Sequence, residues 1–150
     1  LHPVSLIQDD ADNVYGCLFS SPDEAKEAAV RRVTLPEAAF VYDLRRGTAL
    51  GRTRSFETSL RPGEATFFAA LPYEVRGLAA ARDGSLRLET STGGSGLHPV
   101  KVEFLDDAGR TLATDMVEIR NGSGAWRNKV PKAALVVFTD FVSKKRCVLK

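Results

Sequence analysis

Histidine, cysteine and tryptophan are scarce in this chain, with two, two and one among 150 residues. Cys17 and Cys147 make no disulfide framework, which in small secreted domains shows as several spaced cysteines. They also miss the immunoglobulin arrangement, because Trp126 lies close to the second cysteine rather than soon after the first. They could pair if the first and last strands are neighbours; the reading favoured here is two buried thiols, since a free cysteine behaves as a small apolar residue. A zinc site needs about three or four His or Cys ligands, usually in close pairs. His2, His98 and the two cysteines stand isolated in the sequence.

Charge of one sign is missing as well. The 21 basic and 19 acidic residues are interspersed and leave a net charge of +2. That balance excludes the strongly basic footprint of a nucleic-acid binder. The nearest approach is Lys144-Lys145-Arg146 with Lys150, which reads as solvated surface. No apolar run approaches the ~18 residues of a membrane span. The chain opens on Leu1, with neither the basic region nor the apolar core of a signal peptide, so a piece of a longer protein is expected.

What is present is strand periodicity. Val30–Leu35 and Phe40–Leu44 read as two strands, the first ending at Pro36. Ser55–Leu60 alternates, Arg61-Pro62-Gly63-Glu64 turns the chain, and Ala65–Leu71 is a short apolar run suited to a buried strand. Leu86–Thr90, Val100–Leu105, Thr111–Ile119, Leu135–Thr139 and Cys147–Leu149 continue the pattern, and Asn121-Gly122-Ser123-Gly124 marks a turn. One segment offers a helical turn: Ser21 as N-cap, Pro22 at the first position, then acids through Ala29. Strands about 8–12 residues apart, separated by Gly, Pro, Asn and Asp, predict an all-β antiparallel sandwich. A boundary near Pro72–Gly77 divides it into two small units in tandem, residues 1–73 and 74–150, with Ser91–Gly96 as a loop inside the second. The echo of Leu1-His2-Pro3-Val4 at Leu97-His98-Pro99-Val100 fades within a dozen residues and is read as chance.

The motifs of catalysis are not found. No G-x-S-x-G elbow lies between a strand and a helix. Neither histidine sits where a Ser/His/acid relay is expected. Asp9-Asp10 and Asp106-Asp107 read as turn-openers, because Asp bonds to its own backbone. A calcium cage wants about six or more oxygen ligands, and a glycosidase wants two facing carboxylates that no spacing here selects. No catalytic residue, metal or cofactor is therefore expected. The remaining handle is aromatic. Trp126, followed by Arg127 and Asn128 after a Gly-rich turn, could present a ring face for stacking a sugar, although a lone Trp in a small β domain is more often core. Asn121-Gly122-Ser123 fits a glycosylation acceptor and equally a plain Asn-Gly turn.

Val41-Tyr42-Asp43-Leu44-Arg45-Arg46-Gly47-Thr48-Ala49-Leu50-Gly51 resembles a strand–turn–strand phrase of accessory β-domains in large bacterial glycoside hydrolase-like proteins. Leu60-Arg61-Pro62-Gly63-Glu64 and Phe67–Tyr73 match the stretch that follows it there. Gly96–Val102, Asp107-Ala108-Gly109, Gly124-Ala125-Trp126 and Val130–Leu135 resemble the next, fibronectin-like module. The likeness spans residues 38–150 and departs at Val136–Asp140, where such modules carry a longer strand with a G-x-W motif. It implies modules C-terminal to a catalytic barrel that hold no catalytic residue. They would be extracellular or periplasmic, with a neighbouring domain or subunit as partner and a polysaccharide as a second candidate. Tyr42 and Asp43 point to opposite faces of one strand, so the phrase fixes a hairpin rather than a reaction centre.

Overall fold

A computed structural model describes residues 4–21 and 28–150. The described residues form strands and turns with no helix, in two antiparallel sheets. Two compact units result, Leu1–Pro72 and Tyr73–Lys150. The helical turn expected at Ser21–Ala29 falls largely on residues outside those described, as does His2.

The first unit holds β1 (Val4–Gln8), β2 (Val14–Phe19), β3 (Ala29–Asp43), β4 (Thr48–Leu60) and β5 (Ala65–Leu71), in the order β1-β2-β5-β3-β4. Asp9 closes the β1–β2 turn: its Oδ1 accepts the N–H groups of Ala11 and Asn13 at 2.9 Å each. The two strands expected on either side of Pro36 are one strand, β3. Its pairing with β4 breaks between Thr34 and Ala39. Proline has no N–H to give a ladder, and this one sits exposed inside the break, where the Arg54 side chain supplies a bond to the Leu35 carbonyl instead (3.1 Å). Only Phe40–Asp43 of β3 pairs with β5, so the early half of the β3–β4 ribbon is released to bend, as bulged strands do. Val33, Leu35 and Leu60 form one buried cluster with Leu18, Val41, Phe68 and Ala70. Phe68 is almost wholly buried and meets Phe56 edge-on at 5.1 Å. Gly16, paired with Phe68, leaves the ring its space: a Cβ there would lie 2.1 Å from the ring tip.

The second unit holds β6 (Val75–Ala80), β7 (Ser85–Thr90), β8 (His98–Leu105), β9 (Thr111–Arg120), β10 (Ser123–Ala125), β11 (Leu135–Asp140) and β12 (Arg146–Leu149). Their order is β12-β11-β8-β9-β10-β7-β6. The two ends of that order, β6 and β12, also lie beside one another, so the sheet curls back on itself. The Asn121–Gly124 turn is tighter than expected. Asn121 and Gly122 both take positive φ (48° and 81°), as a two-residue hairpin turn requires, and Ser123 already begins β10. Period-two burial places Leu86 and Leu88 of β7, and Val100, Val102 and Phe104 of β8, in the interior. One member of that inward row is polar: His98.

Candidate functional site

A buried imidazole must find partners for both ring nitrogens, because an unmet polar atom away from water costs about 1–3 kcal/mol. His98 finds them in side chains far away in sequence. Its Nδ1 lies 2.9 Å from Asp140 Oδ1, and both side chains are 0% exposed. Its Nε2 lies 2.8 Å from the Tyr73 hydroxyl, which accepts the Gly96 N–H at 2.9 Å. The other carboxylate oxygen of Asp140 accepts the Ser143 hydroxyl (2.5 Å) and the Ser143 N–H (2.8 Å).

Donor and acceptor roles follow from this chain. A carboxylate only accepts, so His98 donates through Nδ1; Tyr73, already accepting from Gly96, donates its own proton to Nε2. Burial pushes the Asp140 carboxyl up. The hydrogen bond from His98, with two bonds from Ser143, outweighs it and holds the group below the ordinary 3.8.

Tyrosine, histidine, aspartate and serine side by side suggest nucleophilic catalysis, but their order forbids it. In a serine relay the imidazole stands between hydroxyl and carboxylate. Here the carboxylate stands between, so His98 cannot take the Ser143 proton. Ser143 Oγ also accepts the Lys145 N–H at 3.2 Å. The network instead ties the start of the unit at Tyr73 to the head of β8 and to the turn after β11. Sequence reading treated His98 as isolated. Its partners lie 25 and 42 residues away, and only its place in the inward row of β8 marks it.

Trp126 does not present a ring face. It is 7% exposed, its indole N–H donates to the Ala81 carbonyl at 2.9 Å, and Phe138 meets it edge-to-face at 5.0 Å. A ring so enclosed offers no surface for stacking a pyranose. Arg127 and Asn128 are exposed beside it, and Asn128 Oδ1 accepts the Val130 N–H of its own turn. The cysteines are half-buried rather than buried, and both are free. Burial pushes the Cys147 thiol up, partly offset by a hydrogen bond from the Ala80 backbone. Asp106 Oδ1 accepts the N–H groups of Ala108 and Arg110, with Gly109 at φ 77°, so this acid pair forms a turn. Among the described residues, no three His, Cys, Asp or Glu side chains gather as metal ligands.

No family model and no curated protein matches the chain. Among solved structures it is similar to a β-glucuronidase of Faecalibacterium prausnitzii, at 14% identity and a TM-score of 0.25, over 91% of this chain and 36% of that one. It is likewise similar to a β-glucuronidase of Ruminococcus gnavus in complex with uronic isofagomine, at 14% identity and a TM-score of 0.24, over 95% of this chain and 36% of that one. The chain thus spans little more than a third of these enzymes, and at such TM-scores the likeness assigns it no function.

Proposed function

We propose that the chain is a non-catalytic accessory β-sandwich module of a larger, carbohydrate-active protein, serving to pack against a neighbouring domain or subunit. The observation that carries this reading is the state of the His98–Asp140 network: groups capable of chemistry are sealed from solvent and consumed in bracing the second unit. The seven antiparallel strands of that unit, curling round until β6 and β12 meet, are compatible with the small fibronectin-like sandwich that the sequence resemblance suggests. The sequence resemblance supplies the parent and an extracytoplasmic location.

A packing role also has a surface. Register places Ile7, Tyr15, Cys17, Phe19 and Phe67 on one face of β1, β2 and β5. Ile7 is 70% exposed, and Phe19 and Phe67 are each 49% exposed. Contiguous apolar side chains left in water mark interaction surfaces. The other expectation, sugar stacking on Trp126, has no observation in its favour.

The chain is to be assayed with nitrophenyl esters and glycosides, glucuronide included. Rates at the level of the buffer blank are expected, and turnover that disappears in His98→Ala would overturn the reading. In the parent protein, Phe67→Asp should lower the melting temperature of the adjoining domain and leave its kcat unchanged. An unaltered melting temperature would remove the packing role.

A further inference from the structure

Two turns of this chain are built alike and differ in one contact. In each, an aspartate Oδ1 accepts the N–H groups two and four residues on. Asp9 accepts from Ala11 and Asn13, and Asp106 from Ala108 and Arg110, all at 2.8–3.0 Å. The backbone repeats as well: the Asp9 N–H meets the Asn13 carbonyl at 3.0 Å, and the Asp106 N–H meets that of Arg110 at 2.9 Å. Asp12 and Gly109 hold the same place in the two turns, at φ 60° and 77°. The difference lies at the fourth residue after the aspartate. Arg110 brings its guanidinium to the second oxygen of Asp106, Nε to Oδ2 at 2.8 Å. Asn13 has no charge to offer, and Asp9 Oδ2 is buried with no hydrogen-bond partner.

A second unmet acceptor lies beside it. Asn13 stands directly across from Asp9, the next pair after Gln8 and Val14 in the β1–β2 register. Residues so placed carry their side chains on one face, with Cβ atoms about 4.5–5.5 Å apart. Asn13 is 0% exposed; its Nδ2 reaches the Tyr15 hydroxyl at 3.5 Å, and its Oδ1 meets no donor. Buried acceptors ordinarily do. Asp10 and Asp12, exposed on the same turn, add further negative charge. None of the three carboxylates is ion-paired with a described residue.

We propose that the β1–β2 turn binds a hard metal cation of the calcium kind in the place where its twin carries an arginine. Both unmet oxygens are closed to water, so neither solvent nor a bulky guanidinium from elsewhere is the missing partner. A bare calcium ion takes oxygen ligands at about 2.3–2.6 Å, nearer than the ~2.7–3.2 Å of an N–H donor. Asp9 Oδ2 and Asn13 Oδ1 are its two fixed ligands. The exposed carboxylates of Asp10 and Asp12 and the backbone carbonyls of the turn complete the roughly six that such an ion wants. Magnesium, which sheds its waters reluctantly, suits a closed pair of oxygens less well. The site is independent of the packing role. That role is tested by melting temperature and turnover in the parent protein and this site by titration, so either fails alone.

The experiment is a two-dimensional NMR titration of the chelator-treated chain with calcium, magnesium, sodium and free arginine. Saturable calcium shifts are expected at the amides of Ala11 and Asn13, with a Kd of about 10−4 to 10−3 M, the range of weak calcium modules. Asp9→Asn keeps an oxygen for the turn and removes its charge, and should weaken binding about tenfold or more, since affinity follows ligand charge. Asp12→Asn should weaken it too. Asn tolerates the left-handed backbone there, so the test survives even where the Asp9 variant misfolds. Asp107→Asn, in the twin turn, should leave binding as it is. Saturable shifts with magnesium or sodium as well uphold a hard-cation site of broader selectivity. The proposal is overturned if calcium up to about 10 mM, well past that range, produces no saturable shift at these amides. That is also the result expected if the Asn13 amide is turned to donate to Asp9. It is equally overturned if shifts rise linearly over the whole acidic surface, if free arginine shifts these amides and calcium does not, or if both well-folded variants bind as the parent chain does.

Discussion

Exchanging the Asp140 carboxylate for an amide of the same shape reverses one donor–acceptor relation inside the second unit. In Asp140→Asn, an amide oxygen turned toward His98 Nδ1–H leaves the NH2 facing two donors of Ser143, the hydroxyl and the backbone N–H. The variant is expected to lose about 1–3 kcal/mol at neutral pH. His98→Ala should cost more, about 3–5 kcal/mol, because it strands a buried carboxylate. The pH dependence has a definite sign. The folded carboxyl titrates below 3.8, so its contribution is complete above that value and disappears as pH falls through the lower, folded value. Denaturant midpoints at pH 7 and near pH 3 should differ less in Asp140→Asn than in the parent chain. Equal pH dependence in the two would show that Asp140 is not held as described. None of this was legible in the sequence, where His98 is merely a residue before a proline. Trp126 stood open between core and sugar platform for a related reason. Its polar neighbours Arg127 and Asn128 suggested exposure, whereas the carbonyl that receives its N–H belongs to Ala81, 45 residues earlier.

At the scale of elements, alternation and short apolar runs located β5, β7, β8, β9, β11 and β12 to within a residue or two. It missed β1, β2, β6 and β10 because their residues carry weak or broken period-two signals. β2 contains Gly16 and Cys17, and β10 is three residues long. Pro36 was taken as a stop, although a bulge lets the strand continue past it once the ladder is interrupted. Gly16 shows what local sequence cannot reveal: the residue is small because Phe68, opposite it, already fills the space. Gly16→Ala should therefore destabilise the first unit by about 1–3 kcal/mol, the usual range for overpacking. Trimming the ring in Gly16→Ala/Phe68→Leu should recover part of that loss, giving a coupled rather than additive pair in chemical denaturation. Strict additivity would mean that the two residues do not share the space.

Across the whole molecule, the class was readable because strand spacing and turn composition are local properties, while the order of strands in each sheet is not. The two half-buried cysteines bear on what holds the chain together at this scale. Cys17 lies in the first unit and Cys147 in the second, and both are free. Stability then rests on the packed clusters and the His98–Asp140 network, with no covalent closure of the long loop between residues 17 and 147. A disulfide closing a loop of that length would contribute several kcal/mol, about 4–5 by chain-entropy accounting. The melting temperature should accordingly be the same with and without a thiol reductant, and the unreduced chain should yield two titratable thiols once unfolded. In the folded state Cys147 should react with a disulfide reagent more slowly than free cysteine near neutral pH, because burial raises its thiol pKa and lowers the reactive thiolate fraction. A drop in melting temperature on reduction, together with fewer than two thiols, would show that a covalent link shares the work assigned here to packing.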